Sequence, residues 1–253
     1  MTTAGDGTMN VEYHKRRSRR LDRDMELKVY GRSGKPAIVF PSAGGRFFEY
    51  EDFGMVEVCR PAIDAGKLVL VAVDSVDRES WLNEGAHPAD RARRHNDYDR
   101  YIVDEVIPWV RERTWWDGGL LATGCSMGAY HAANVFFRHP DAFDAVIALS
   151  GVYKLDRFVG DYCDDNVYFN APLRYLPNLD DPRYLDRYRR SRIVVCAGQG
   201  AWEDEMLEDT LRLGEILDRK GIPAWVDIWG HDVNHDWPWW RRMMPYFLER
   251  LPL

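Results

Sequence analysis

The chain has 253 residues, of which 45% are hydrophobic, and a formal net charge of −7. Its length suits one large α/β domain, and its negative charge gives no general attraction to nucleic acid. No run approaches the roughly 20 apolar residues of a membrane-spanning helix, and the polar residues 1–10 lack the apolar stretch of a signal peptide. We therefore expect a cytoplasmic protein without nucleic-acid or membrane partners.

The first predicted elements are two antiparallel edge strands, at residues 11–18 and 25–31. The first overlaps a strongly basic run, HKRRSRRLDR at 14–23. Charged residues protect an edge strand from pairing with another chain, and the acidic Asp22 and Asp24 interrupt this run. We therefore favour a solvated edge strand over the alternative, an anion-binding patch.

Six short apolar runs follow, and they predict strands buried on both faces of a parallel sheet. Helical patterns at 97–113, 127–139 and 206–221 alternate with several of them. Such alternation predicts an α/β fold with a doubly wound, mostly parallel sheet. The six runs are AIVF (37–40), KLVLVAVD (67–74), LLATG (120–124), AVIALSG (145–151), RIVVCAG (192–198) and AWVDIWG (224–230).

Residues 152–191, after the sixth strand, break this rhythm. They are rich in Tyr, Asp and Pro and contain no strong strand pattern. Long excursions of this kind in compact domains are usually functional. We predict an insertion of short helices that forms a lid or cap over the carboxyl end of the sheet, within a single domain spanning 1–253. A purely structural surface excursion is the alternative.

The stretch GCSMG at 124–128 matches the pattern G-x-S-x-G and lies between a predicted strand and a predicted helix. A strand, a sharp turn and a helix form the setting of a nucleophile elbow, in which the serine oxygen is exposed above the sheet. The following helix N-terminus favours negative charge near this oxygen. The pattern therefore predicts Ser126 as a nucleophile.

A serine hydroxyl needs a base to become a good nucleophile. In sites built on this elbow, the acid and then the histidine follow the serine along the chain. The loop after the last strand, HDVNHDWPWW, offers His231 and His235. We favour His235, because it lies deeper in the loop and just before a helix that begins near Pro238.

The acid is expected in QGAWEDE at 199–205, after the strand at 192–198. We favour Asp204 over Glu203, with Glu205 as the outlying candidate, to orient the histidine and stabilise its imidazolium. The alternative is that these acidic residues only favour the start of the next helix.

An oxyanion hole needs two N–H groups aimed at the developing charge. We expect one from Met127, after the nucleophile, and one from Ala43 or Gly44 in the loop PSAGGRFF. No metal site is expected, since HD-x-x-HD lacks a further ligand cluster and the four cysteines form no CxxC pair.

With this candidate triad and oxyanion loop, the chain resembles the esterase D and mycolyltransferase-like branch of the α/β-hydrolases, among the bacterial esterases. The resemblance lies in FPSAGGRFFEYEDFGM (40–55), GCSMGAYHA (124–132), LSGVY (149–153), GQGAWED (198–204) and GHDVNHDWPWWRRMMPYFL (230–248). It implies an α/β-hydrolase fold and carboxylic-ester hydrolysis through an acyl-enzyme. It also implies Ser126, Asp204 and His235 in the triad positions and no cofactor.

Two other functions remain open at this point. The Tyr-rich insertion could exclude water from a covered cleft, which would favour acyl transfer to an alcohol or amine. A binding protein on a hydrolase scaffold is the third hypothesis, although the complete candidate triad argues against it. The expected partner is a small-molecule ester, and the sequence leaves the oligomeric state open, a homo-oligomer included.

Overall fold

The structure is a computed structural model that describes residues 9–252, so most of the polar segment examined for a signal peptide lies outside the described residues. Eight strands form one sheet in the order β1-β2-β4-β3-β5-β6-β7-β8, with the first two pairings antiparallel and the others parallel. The predicted doubly wound sheet is thus confirmed. The strands are β1 (Val11–Ser18), β2 (Arg23–Tyr30), β3 (Lys35–Phe40), β4 (Leu68–Val73), β5 (Leu120–Cys125), β6 (Phe143–Leu149), β7 (Arg192–Ala197) and β8 (Trp225–Ile228).

Helices connect the strands from β3 onward and cover both faces of the sheet. None of the helices within residues 9–252 combines the length and the apolar character that crossing a bilayer requires. The helices are α1 (Glu49–Asp52), α2 (Met55–Asp64), α3 (Pro88–Tyr101), α4 (Ile107–Thr114), α5 (Met127–Arg138), α6 (Asp156–Val159), α7 (Asp165–Tyr168), α8 (Pro172–Tyr175), α9 (Pro182–Arg190), α10 (Asp204–Arg219) and α11 (Trp237–Arg250).

The helix predicted at 97–113 begins earlier than expected and is not uniform. It starts at Pro88, where the His87 side chain accepts a hydrogen bond from the Ala89 N–H and so caps the first turn. A π-helical segment, Ile102–Val106, joins α3 to α4. The charged first turns of α3 lack an apolar stripe, which explains why the sequence pattern missed them.

The two faces of the sheet are covered by different helices. Helices α3, α4, α5 and α10 pack on one face, where Phe136, Phe137 and Leu213 are fully buried. Helices α2 and α11 pack on the other, around Met243 and Phe247. Burial of a large apolar side chain contributes about 1.5–3 kcal/mol relative to leaving it exposed. The strands are therefore held between two apolar layers.

The chain reverses its direction of travel across the sheet at β3. From β3 it first adds β4 on one side and later adds β5 on the other. Ligands of open α/β sheets bind outside the carboxyl ends of the strands at such a switch point. The loop after β3 and the turn after β5 meet at this point.

The insertion at 152–191 consists of α6, α7, α8 and α9 with a 3₁₀ turn at Leu176–Asn178. Its first half packs Val152, Leu155 and Val167 against Met127 and Tyr130 of helix α5. The segment therefore lies against the start of the helix that follows the predicted nucleophile. Its function as a lid stays a prediction.

The basic run at 14–23 is largely paired with carboxylates. Lys15 lies 3.5 Å from Asp24, and Arg20 lies 2.7 Å from Asp104. Arg17 and Arg23 form ion pairs as well, with Asp22 and Glu79. This pairing agrees with a solvated edge strand.

Candidate active site

Ser126 occupies a strained turn between β5 and α5. Its backbone has φ 57° and ψ −123°, a region that costs a non-glycine residue about 1–3 kcal/mol. Its N–H donates to the Leu149 carbonyl at 2.9 Å, which anchors the turn to the neighbouring strand. The strain raises the side chain above the sheet at the N-terminus of α5.

The glycines around Ser126 allow this turn to form. A Cβ atom at Gly128 would lie 2.3 Å from the Phe40 carbonyl oxygen, and one at Gly124 would lie 2.4 Å from the Gly128 carbonyl carbon. Only glycine fits such close approaches of backbone to backbone. The first turn of α5 therefore touches the end of β3, where the predicted oxyanion loop begins.

His235, and not His231, lies beside the serine. His235 Nε2 is 2.8 Å from Ser126 Oγ. The backbone N–H of His235 donates to the Ala201 carbonyl at 3.0 Å. The imidazole ring packs edge-on against Trp240, with 4.9 Å between the ring centroids. His231 is exposed at the start of the same loop. These contacts fix the imidazole within hydrogen-bond reach of the hydroxyl.

The acid beside the histidine is Glu203, which corrects the expectation of Asp204. Glu203 is fully buried, and its Oε1 lies 3.5 Å from His235 Nδ1. Asp204 is exposed in the first turn of α10, and Glu205 pairs with Arg157 at 3.0 Å. Successive residues of a helix point in different directions, so a shift of one position turns the carboxylate from the site to solvent.

Helical periodicity could have indicated Glu203. The residues three, seven and ten positions after Glu203 are buried, namely Met206, Thr210 and Leu213. Glu203 therefore lies on the inward face of α10. Positions four and seven residues after Asp204, Glu208 and Leu211, are exposed.

Ser150 and Trp240 complete the surroundings of the acid, and neither was predicted to belong to this network. Ser150 Oγ donates to Glu203 Oε1 at 2.6 Å and accepts a hydrogen bond from Trp240 Nε1 at 3.0 Å. Ser150 is fully buried and has φ 54°. A positive φ at a serine just after a strand leaves no signal in the sequence. Only the fold places this hydroxyl beside Glu203.

The predicted oxyanion loop, residues 41–46, contains the two candidate backbone donors Ala43 and Gly44. Gly44 has φ 65°, and its N–H donates to Asp77 Oδ2 at 3.3 Å. The Ser42 N–H donates to Glu49 Oε2 at 2.7 Å. Within residues 9–252 the Ala43 N–H has no acceptor. Of the two predicted donors, Gly44 is therefore occupied and Ala43 remains.

Met127 is the first residue of α5, and the first N–H groups of a helix have no intrahelical acceptor. Its N–H is therefore free to bind another acceptor, and its role in an oxyanion hole stays a prediction. Among the described residues no three His, Cys, Asp or Glu side chains are grouped so that they could hold a metal ion.

The model of the Esterase family, described as "Putative esterase", matches residues 18–251. The chain belongs to this family. Together with the eight-stranded sheet, this membership identifies an esterase enzyme with an α/β-hydrolase fold, as the sequence resemblance implied. Among curated proteins, no sequence matches the chain significantly.

Solved structures of other proteins share the fold of this esterase. A ferulic acid esterase has 16% identity and a TM-score of 0.74, over 96% of this chain and 99% of that one. An S-formylglutathione hydrolase (FrmB) from Staphylococcus aureus has 15% identity and a TM-score of 0.68, over 96% of each chain. MPT51 (FbpC1) from Mycobacterium tuberculosis has 14% identity and a TM-score of 0.72, over 95% of this chain and 97% of that one.

Proposed function

We propose that this esterase hydrolyses carboxylic esters through an acyl-enzyme, with Ser126 as nucleophile, His235 as base and Glu203 as the acid. The observation that carries the proposal is the 2.8 Å distance between Ser126 Oγ and His235 Nε2. A nucleophile within hydrogen-bond reach of a base that is itself oriented by a third group is the signature of covalent acyl transfer.

In the first half of the reaction, His235 Nε2 takes the proton of Ser126 while Oγ attacks the ester carbonyl. The negative charge on the resulting tetrahedral oxygen is bound by the N–H groups of Met127 and Ala43. Collapse breaks the ester bond, and His235 returns the proton to the leaving alkoxide. The products of this half are an alcohol and the acyl-Ser126 ester.

In the second half, His235 takes a proton from water, and the hydroxide attacks the acyl-Ser126 carbonyl. The same N–H groups bind the second tetrahedral oxygen. Collapse releases the carboxylic acid, and His235 returns the proton to Ser126. Throughout, the buried Glu203 faces His235 Nδ1 and stabilises the imidazolium form.

Short p-nitrophenyl esters and a fluorophosphonate probe test this proposal. Loss of a triad serine or histidine removes nearly all covalent catalysis, so Ser126→Ala and His235→Ala are each expected to lower kcat by more than about 10³-fold. The wild type is expected to be labelled by the probe at Ser126. Matched controls are Ser33→Ala, at an exposed loop serine, and His231→Ala, in the same loop as His235.

Full hydrolysis by Ser126→Ala would show that the proposed nucleophile is wrong. Product analysis in the presence of added alcohols tests the second half separately. Free acid as the sole product supports hydrolysis, whereas a new ester of the added alcohol supports the acyltransferase alternative with the same nucleophile.

A further inference from the structure

We infer that two carboxylates outside the triad, Asp77 and Glu49, are positioning residues that hold the oxyanion loop so that the Ala43 N–H faces Ser126. The inference rests on the proposed serine-hydrolase function. Neither residue touches the nucleophile or its base, so each acts through the backbone that it binds.

The loop itself is a tight turn. The Gly45 N–H donates to the Ser42 carbonyl at 2.9 Å, and Gly44, the third residue of the turn, has φ 65° while Ala43 does not have a positive φ. A positive φ at this one position is typical of a type II turn and favours glycine there. In such a turn the N–H of the second residue takes no part in the closing hydrogen bond.

The two carboxylates bind the N–H groups on either side of Ala43. Glu49 accepts from the Ser42 N–H at 2.7 Å and from the Ser42 hydroxyl at 2.6 Å. Asp77 accepts from the Gly44 N–H at 3.3 Å. With both neighbours bound to carboxylates, the turn cannot rotate either of them into the site. Of the two candidate donors, Ala43 is the one whose N–H has no acceptor among the described residues.

Asp77 also links this loop to α5, the helix that follows Ser126. Its second oxygen, Oδ1, lies 2.8 Å from Nε2 of His131, which is in the second turn of α5, and both side chains are about 1% exposed. Met127, at the start of α5, supplies the other proposed oxyanion donor. One buried carboxylate therefore joins the two structural elements that must meet around the same oxygen.

Burial of these groups has an energetic cost that surface placement would avoid. A buried carboxylate loses its hydration, and the loss is offset only by close partners. Burial raises the pKa of Glu49, against the hydrogen bonds from Ser42, which lower it. Apolar side chains could fill these positions, but they could not accept hydrogen bonds from loop N–H groups.

The expected consequence is specific to transition-state binding. Loss of an oxyanion donor costs about 10²–10³-fold in kcat, and a displaced donor costs part of this. Asp77→Ala and Glu49→Ala are therefore each expected to lower kcat per active site about tenfold to hundredfold, while KM changes less than about threefold.

The test combines three measurements on Asp77→Ala and Glu49→Ala. Active sites are counted by fluorophosphonate labelling, kcat and KM are measured per labelled site, and inhibition by phenylboronic acid reports binding of a tetrahedral adduct. Boronate affinity is expected to fall with kcat. Asp77→Asn and Glu49→Gln keep an acceptor oxygen for the loop N–H and are expected to retain kcat within about fivefold of the wild type.

The matched control is Asp99→Ala, which removes another Asp–His contact, the partly buried one of Asp99 Oδ1 with His139 Nε2 at 3.0 Å. This contact lies at the far end of α5, so the control is expected to reduce stability without changing kcat per labelled site. Glu49→Ala, in a partly exposed position, keeps the test available if Asp77→Ala fails to fold.

Two results would overturn the inference. One is wild-type kcat and boronate affinity per labelled site in both alanine variants, and the other is an equal loss in Asp99→Ala. A wild type that the probe does not label at Ser126 contradicts the proposed function and this inference together. A labelled wild type with unaffected alanine variants contradicts this inference alone.

Discussion

The Ser150 hydroxyl donates a hydrogen bond of 2.6 Å to Oε1 of Glu203. The same carboxylate oxygen faces His235 Nδ1 at 3.5 Å. Trp240 Nε1 in turn donates to Ser150 Oγ. A chain of polar contacts therefore runs from Trp240 through Ser150 and Glu203 to His235, and each group in it orients the next.

We expect Ser150→Ala to lower kcat about tenfold with little change in KM. A hydrogen bond to a charged group contributes about 1.5–3 kcal/mol, and its loss leaves the Glu203 carboxylate free to turn from the histidine. Trp240→Phe keeps the edge-on ring but removes the donor, so a smaller loss of a few fold is expected. Steady-state kinetics on a p-nitrophenyl ester measure both, and an unchanged kcat in Ser150→Ala would exclude the orienting role.

The two neighbouring acids are distinguished by substitution. Glu203→Gln is expected to lower kcat by about 10³-fold or more, because a neutral amide cannot stabilise the imidazolium and favours the wrong tautomer. Asp204→Asn, at an exposed position one residue later, is its matched control and is expected to retain nearly full kcat. The reverse pattern in the same kinetic assay would restore Asp204 as the acid.

Gly128→Ala is expected to destabilise the protein by about 1–3 kcal/mol, the usual cost of overpacking. The added Cβ would lie 2.3 Å from the Phe40 carbonyl oxygen, which is backbone and cannot move aside alone. Gly85→Ala is the control, since its Cβ would approach only Asn83 Oδ1, at 3.6 Å. Urea unfolding compares the three proteins, and equal stability of both variants would contradict the close contact.

Glu12 contributes a pH-dependent part of the stability. The amide of Asn10 lowers the pKa of Glu12 to about 2 from its usual 4.5; burial opposes this shift, and hydrogen bonds from Arg113 and His14 support it. Because the pKa is lower in the folded state, the stabilisation is complete above pH 4.5 and is lost as the pH falls toward 2.

The stability difference between the wild type and Glu12→Gln is therefore expected to be largest at pH 7 and to shrink between pH 4.5 and 3. Urea unfolding at these pH values measures it. Glu249→Gln, at an exposed position near the end of α11, is the control and is expected to show no such change. A difference that stays constant down to pH 3 would contradict the assignment.

The strands were the most predictable part of the fold. All eight predicted strands are present, because each is a continuous apolar run or an edge with clear flanking turns, and burial requires such runs wherever the sheet is covered on both faces. The helices were predicted less completely than the strands. The start of α3 at Pro88 and the four-residue α1 were not predicted, since short or highly charged helices carry little apolar periodicity. Helix α2 was not predicted either, although its buried Met55, Cys59 and Ile63 recur at helical spacing.

The sequence by itself determined the position of Ser126, because an elbow is a local structure whose strand, glycines and helix are consecutive in the chain. It also indicated the loop whose His235 lies 2.8 Å from Ser126 Oγ. Only the tertiary structure brought Glu203 rather than Asp204 to His235, gave the Gly44 N–H an acceptor in Asp77, and placed Ser150 beside Glu203. These choices depend on which way a side chain or an N–H points after distant segments pack together, and a shift of one residue changes that direction.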